Sequence, residues 1–144
     1  MLKNVPSVIS PAMLKALSEM GHGDTLVLAD GNFPSESVGK NGQVIRCDGF
    51  HIPELLDAVL TMLPLDAYVE KPVSFMQVVP GDPVETPIWK EYEAIIQKHT
   101  GGKKDLVAHV ERFAFYEKAA AAYLIIATGE TALYGNIILQ KGVI

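Results

Sequence analysis

Little in this sequence names a chemistry outright, and what it lacks narrows the field first. It has one cysteine, Cys47, among 144 residues. No intrachain disulfide can form, and a reducing compartment is the expected setting. Met1 to Ser10 holds no apolar stretch of signal-peptide length. No run approaches the roughly 18 apolar residues that a membrane span needs. The expected location is the cytoplasm, with no membrane partner. Lys and Arg number 12 against 17 Asp and Glu, a net charge of −5. That is the wrong sign for holding a phosphate backbone, so no nucleic-acid partner is expected.

The familiar catalytic signatures are missing too. There is no Gly-x-Gly-x-x-Gly and no phosphate-binding loop ending in Gly-Lys-Ser/Thr. Four dispersed histidines, His22, His51, His99 and His109, and one cysteine offer no metal-ligand spacing. No serine sits in a Gly-x-Ser-x-Gly elbow. Neither a metal nor a cofactor is expected.

What is present describes an ordinary globular chain. Apolar residues make up 49% and charged residues 20%, enough to build a core and too few charges for disorder. The length suits one domain over residues 1–144. Ser10-Pro11 predicts a helix start, followed by Met13, Leu14, Leu17 and Met20 at helical spacing, with Gly21 as the stop. Thr25 to Ala29 reads as a strand buried on both faces. Val44 to Cys47 reads as a short strand, and Pro53 opens a helix carrying Leu55, Leu56, Val59, Leu60 and Leu63. Val73 to Val79 reads as a strand running into the loop Pro80-Gly81-Asp82-Pro83. Pro87 opens a third helix, which Gly101-Gly102 breaks. Asp105 to Val110 is read as a strand and Phe113 to Ala122 as a helix. Tyr123 to Thr128 and Asn136 to Leu139 are read as two closing strands running antiparallel. Alternating strands and helices predict a layered α/β fold with a mixed sheet.

Several residues are candidates for chemistry, each with a plainer alternative. His22 lies between two glycines, which leave its ring accessible, and its unperturbed pKa of about 6.5 suits proton transfer. A simple turn histidine fits the same position. Asp30 ends a buried strand, where open α/β sheets place ligands, or it caps the turn through Gly31-Asn32. A carboxylate there would orient His22 or accept a ligand hydroxyl. Arg112 and Tyr116 lie four apart, on one face of a helix, where a guanidinium fork and a phenol can hold hydroxyls and move a proton. A surface arginine beside a half-buried aromatic is the alternative. Tyr134 and Asn136 flank Gly135 as a hydroxyl-reading clamp or as a turn into a strand. Asp66 and Met76 offer less: a helix-end turn residue and a core filler.

Taken in order along the chain, these segments resemble one family, the RbsD/FucU sugar mutarotases and pyranases. The matching stretches are Met20-Gly21-His22-Gly23-Asp24, Ala29-Asp30 with Asn32-Phe33-Pro34, and Arg46 with Asp48-Gly49. Arg112-Phe113 with Phe115-Tyr116-Glu117, Thr128-Gly129-Glu130, and Leu133 to Leu139 with Lys141-Gly142 complete the set. Phe115-Tyr116-Glu117 and Tyr134-Gly135-Asn136 resemble the fucose branch more than the ribose branch. The resemblance implies a three-layer α/β/α sandwich with a mixed, mostly parallel sheet. It implies a cofactor-independent isomerase that interconverts α- and β-L-fucopyranose, assembled as decameric rings with sites near subunit boundaries. The family's proton-donor histidine falls on His22, and Tyr116 is expected as a second proton-transfer group. Its sugar-binding positions fall on Asp30, Asp66, Met76, Tyr116, Tyr134 and Asn136, with Arg112 matching a further one. A ribose-type pyranase and a non-catalytic monosaccharide-binding accessory protein are the alternatives.

Overall fold

Ser10 starts the first helix, its hydroxyl accepting the Met13 N–H at 3.2 Å while Pro11 takes the first helical position. This helix, α1 (Pro11–Glu19), ends before Gly21: Met20 is already extended, and the Gly21 N–H turns to the Asp24 carboxylate. A computed structural model describes all 144 residues. The remaining elements are β1 (Thr25–Ala29), α2 (Ser35–Val38), β2 (Gln43–Cys47), α3 (Ile52–Leu60), β3 (Val73–Met76), α4 (Ile88–His99), β4 (Val107–Val110), α5 (Arg112–Ala120), β5 (Leu124–Thr128) and β6 (Ile137–Gln140). No helix is long and apolar enough to cross a membrane.

The six strands form one sheet in the order β2-β5-β1-β6-β3-β4. β2, β5 and β1 pair in parallel, as do β3 and β4, while β6 runs antiparallel to both of its neighbours. The sheet is therefore mixed and mostly parallel. The closing strands β5 and β6 do run in opposite directions, but they do not pair, because β1 lies between them.

The period of two along each strand sorts the core into two layers. Leu26 and Leu28 of β1, with Leu124 and Ile126 of β5, face α1, α3 and α4 and meet Met13, Leu17, Leu55, Leu56, Tyr92 and Ile96. Val27 and Ala29, with Ile125 and Ile138, face the other way onto Phe115 and Ala119 of α5 and Val38 of α2. Helices thus cover both faces, giving three layers. Each fully buried Leu, Ile or Phe contributes about 1.5–3 kcal/mol by leaving water.

Several boundaries differ from the sequence reading, and one element was absent from it. β3 stops at Met76 rather than Val79. Its neighbour β4 ends at Val110, the Gln77 N–H makes a last bond to the Val110 carbonyl at 2.8 Å, and the chain then leaves the sheet. The four-residue α2 was not anticipated, since one turn is too short to show a helical period.

Gly129 sits where β5 passes closest to the turn after β2. Its N–H donates to the Phe50 carbonyl at 2.9 Å. A Cβ at this position would overlap the Asp48 carbonyl oxygen, a backbone atom that cannot swing aside. Gly129→Ala is therefore expected to lower the unfolding free energy by about 3 kcal/mol. Urea denaturation followed by circular dichroism checks this, and a loss below about 0.5 kcal/mol would show that the turn has room to yield.

Candidate functional site

Because β6 lies antiparallel to β1, its first residues stand beside the end of β1: Leu28 faces Ile137. That register brings Asp30 and Asn136 together although 106 residues separate them. The Asp30 N–H donates to Asn136 Oδ1 and Asn136 Nδ2 donates to Asp30 Oδ2, both at 2.8 Å. The Asn32 N–H donates to the second Asp30 oxygen at 2.9 Å. Both side chains are buried. Burial pushes the Asp30 carboxyl up from its ordinary value, and the donors from Asn32, Phe33, Gly135 and Asn136 oppose that rise.

Met76 ends β3 on the far side of β6, one residue beyond the Phe75–Ile137 pair. α5 closes the cleft from above. Its first turn is capped by Glu111, which accepts the Phe113 and Ala114 N–H groups. Arg112 Nε donates to Tyr116 Oη at 3.3 Å, across one helical turn. The guanidinium carbon lies 5.6 Å from the centres of both the Phe113 and Tyr116 rings. On its other side, Tyr116 meets the Phe33 ring at 5.5 Å. Tyr134 completes the wall, its phenol donating to Asp82 Oδ2 at 2.6 Å.

Asp30, Met76, Arg112, Tyr116, Tyr134 and Asn136 thus line one open cleft of about 280 Å³. A larger cleft of about 390 Å³ lies by β4 among Lys71, Lys103 and Lys104, and it contains none of these residues.

His22 and Asp66 are not in the cleft. They meet at the opposite end of the strands, where β1 begins and β6 ends. His22 Nε2 lies 3.1 Å from Asp66 Oδ2, which also accepts Gln140 Nε2 at 3.0 Å, while Oδ1 accepts the Tyr68 N–H at 3.0 Å. These donors, the Tyr68 N–H foremost, hold the Asp66 carboxyl below its ordinary value. An ionised carboxylate only accepts, so Nε2 carries the imidazole proton and Nδ1 is the free ring atom. The Asp66 side chain is 2% exposed and that of His22 46%, so the carboxylate is sheltered while the ring faces out. Gly142 makes this possible: its N–H bonds the Pro64 carbonyl at 2.8 Å, and a Cβ there would stand 2.6 Å from the Leu65 carbonyl oxygen.

The geometry corrects one expectation. Within one chain Asp30 does not reach His22. Five extended residues of β1 lie between them, and at about 3.3 Å per residue the two groups are roughly 15–20 Å apart. The carboxylate beside His22 within the chain is that of Asp66, which the resemblance placed among sugar-binding positions. No three His, Cys, Asp or Glu side chains converge as metal ligands.

Three contributors were not singled out from the sequence. Asp82 was read only as part of a Pro-Gly loop, and nothing in its spacing reveals that it meets Tyr134, 52 residues away. Gln140 was outside the expected strand, which ended at Leu139. Glu130 is buried, and its carboxylate accepts the Ile52, Thr131 and Ala132 N–H groups. It ties the start of α3 to the loop that carries Tyr134 and Asn136.

Known proteins share this architecture over its full length. The model of the RbsD / FucU transport protein family matches residues 3–144. The human fucose mutarotase is 53% identical over 147 residues, covering 99% of this chain and 94% of the relative. The crystal structure of FucU from Bifidobacterium longum superposes with a TM-score of 0.96 at 56% identity, covering 99% of both chains. The fucose mutarotase of Streptococcus pneumoniae, solved in complex with L-fucose, gives a TM-score of 0.93 at 51% identity over 99% of both chains. With the matched segments spanning the sheet, the cleft and the His22 edge alike, the chain belongs to the RbsD/FucU family.

Proposed function

We propose that this chain, acting as one domain, is an L-fucose mutarotase: an isomerase that interconverts α- and β-L-fucopyranose. The reading is carried by full-length similarity, at half identity or better, to fucose mutarotases, one of them solved with L-fucose bound. The cleft chemistry agrees with it. A volume of about 280 Å³ suits a monosaccharide. Asp30 and Tyr134 present acceptors, Arg112 presents donors, and Phe33, Met76 and Tyr116 form an apolar floor for a sugar ring.

The reaction needs an acid and a base. An aldopyranose is a hemiacetal, and opening it requires a proton on the ring oxygen and loss of the proton on the anomeric hydroxyl. The C5–O5 hemiacetal oxygen then leaves C1 as the C5 hydroxyl, C1 becomes an aldehyde and rotates, and the same hydroxyl closes on the other carbonyl face. His22 serves as the principal acid and base, through the Nδ1 that Asp66 leaves free. Tyr116 is the second proton-transfer group, its oxygen already accepting from Arg112 Nε and its own proton free for the sugar. Each well-placed group is worth about 10²–10⁴-fold.

His22 and Tyr116 sit at opposite edges of one chain, so the complete site combines two copies: the cleft of one and the His22–Asp66 edge of the next. Both edges carry apolar side chains in need of cover. Leu133, 53% exposed, lines the cleft, Phe113, 66% exposed, lies with its ring 6.4 Å from that of Tyr116, and Tyr68, 79% exposed, lies 5.5 Å from the His22 ring. A closed ring of copies, extended to the decamer implied by the family, satisfies both edges at once. A cofactor-free sugar isomerase with one buried cysteine belongs in the cytoplasm.

Exchange NMR on anomeric protons should find fast α/β exchange of L-fucose and little pyranose–furanose exchange of D-ribose. His22→Ala and Tyr116→Phe should each keep the fold and lose at least about a hundredfold in rate. Ribose exchange faster than fucose would favour a pyranase, and binding without faster exchange an accessory protein. Multi-angle light scattering at micromolar concentration should give a mass near ten chains, and a monomer mass would contradict the shared site.

A further inference from the structure

Tyr134 stands in a conformation that bulky residues rarely adopt. Its φ is +56°, in the left-handed region. The other non-glycine residues with positive φ are Asn4 and Asp105, short polar residues that tolerate it. Tyr134 alone among them lines the cleft. Strain of this kind persists only where the surroundings over-determine it.

The surroundings here come from two directions. From α4, Trp89 Nε1 donates to the Tyr134 carbonyl at 2.9 Å, and the Tyr92 phenol donates to the Gly135 carbonyl at 2.8 Å. These fix the backbone. The phenol is fixed from the 79–84 loop: it donates to Asp82 Oδ2 at 2.6 Å and accepts the Val79 N–H at 3.3 Å. The loop is itself braced. The Asp82 N–H bonds the Val79 carbonyl at 3.0 Å, the Val84 N–H reaches Asp82 Oδ1 at 3.3 Å, and Gly81 takes a φ of +88°. One Asp82 oxygen therefore holds the loop and the other holds Tyr134.

We infer that Asp82 is a positioning residue for sugar recognition: by accepting the Tyr134 phenol proton, it fixes that oxygen over the cleft as an acceptor for a sugar hydroxyl. A phenol has one proton and two lone pairs. The proton goes to Asp82, one lone pair faces Val79, and the other remains for the ligand. Without the carboxylate the phenol is free to rotate its proton into the cleft and to present a donor instead. Asp82 thereby sets Tyr134 to the same polarity as Asp30, and both require a donating hydroxyl on the sugar. The bond to Asp82 also raises the Tyr134 phenol above its ordinary ionisation range.

The inference deepens the mutarotase reading and rests on it for its kinetic readout. The test compares Asp82→Ala, Asp82→Asn, Tyr134→Phe and the Asp82→Ala/Tyr134→Phe double variant. KM and kcat for L-fucose come from exchange NMR and Kd from titration calorimetry. Asp82→Ala should raise KM and Kd about tenfold, the loss expected for one well-made bond, with kcat within about threefold of wild type. Asp82→Asn keeps one oxygen for the two bonds that Asp82 accepts, from the Val84 N–H and the Tyr134 phenol, and should recover only part of the affinity. The double variant should be no worse than the weaker single, because both remove one interaction. In alkaline ultraviolet titration, Asp82→Ala should bring one tyrosine to a lower ionisation range, and Tyr134→Phe in the same background should abolish that step. An unchanged KM and Kd in folded Asp82→Ala, multiplying losses in the double variant, or a loss confined to kcat would each overturn the inference. A wild type that binds L-fucose without accelerating exchange would remove the mutarotase reading, while the Kd series would still decide the role of Asp82. A wild type that neither binds nor exchanges the sugar would overturn both.

Discussion

Strand β6 runs against both of its neighbours, and both of its ends are used. Paired antiparallel with β1, it sets Asn136 beside Asp30 at one end of the strands and Gln140 beside Asp66, the partner of His22, at the other. A parallel strand in that place would have put its start beside the start of β1 and brought neither pair together. The middle of β6 is buried on both faces, with Ile137 and Leu139 in one core layer and Ile138 in the other. A slip of one residue would turn each side chain to the wrong layer. Packing thus locks the register, and the register places both polar clusters.

Around that strand three buried carboxylates are held by N–H donors from several segments of the chain. Asp30, Asp66 and Glu130 are all buried carboxylates, and each accepts at least two N–H bonds. Such groups are costly when unpaired and rigid when fully bonded. Thr128 links two of the segments: its hydroxyl donates to the Ala29 carbonyl and accepts the Glu130 N–H, and the Gly31 N–H in turn donates to the Glu130 carbonyl. The Asp30 turn, the end of β5 and the loop before β6 therefore move as one piece, which keeps the cleft walls preorganised.

Much of this was legible in the chain. Ser10-Pro11 and the Leu run after Pro53 gave α1 and α3 because caps and helical period are local signals. Thr25 to Ala29 gave β1 because its apolar run is continuous. Strand order was not legible: β5 and β6 follow each other in sequence, yet β1 separates them, and only long-range packing decides that. The candidate residues were legible as types, and six of the eight do share a cleft. The separation of His22 from Asp30 was implicit in the five-residue strand between them, but a single-site picture hid it. Asp82 gave no signal, since its partner lies in a distant loop.

The proposed division of the site between two copies makes the central claim a claim about pairs of chains. It is tested most directly by mixing two defective proteins. His22→Ala chains keep an intact cleft, and Tyr116→Phe chains keep an intact His22 edge. Co-assembled at equal amounts, random pairing across shared interfaces restores a site with both groups in roughly a quarter of cases. The account predicts that L-fucose anomer exchange, measured by NMR, rises to roughly a quarter of the wild-type rate while each parent alone stays far below it. A co-assembled mixture no faster than the average of its parents would contradict it.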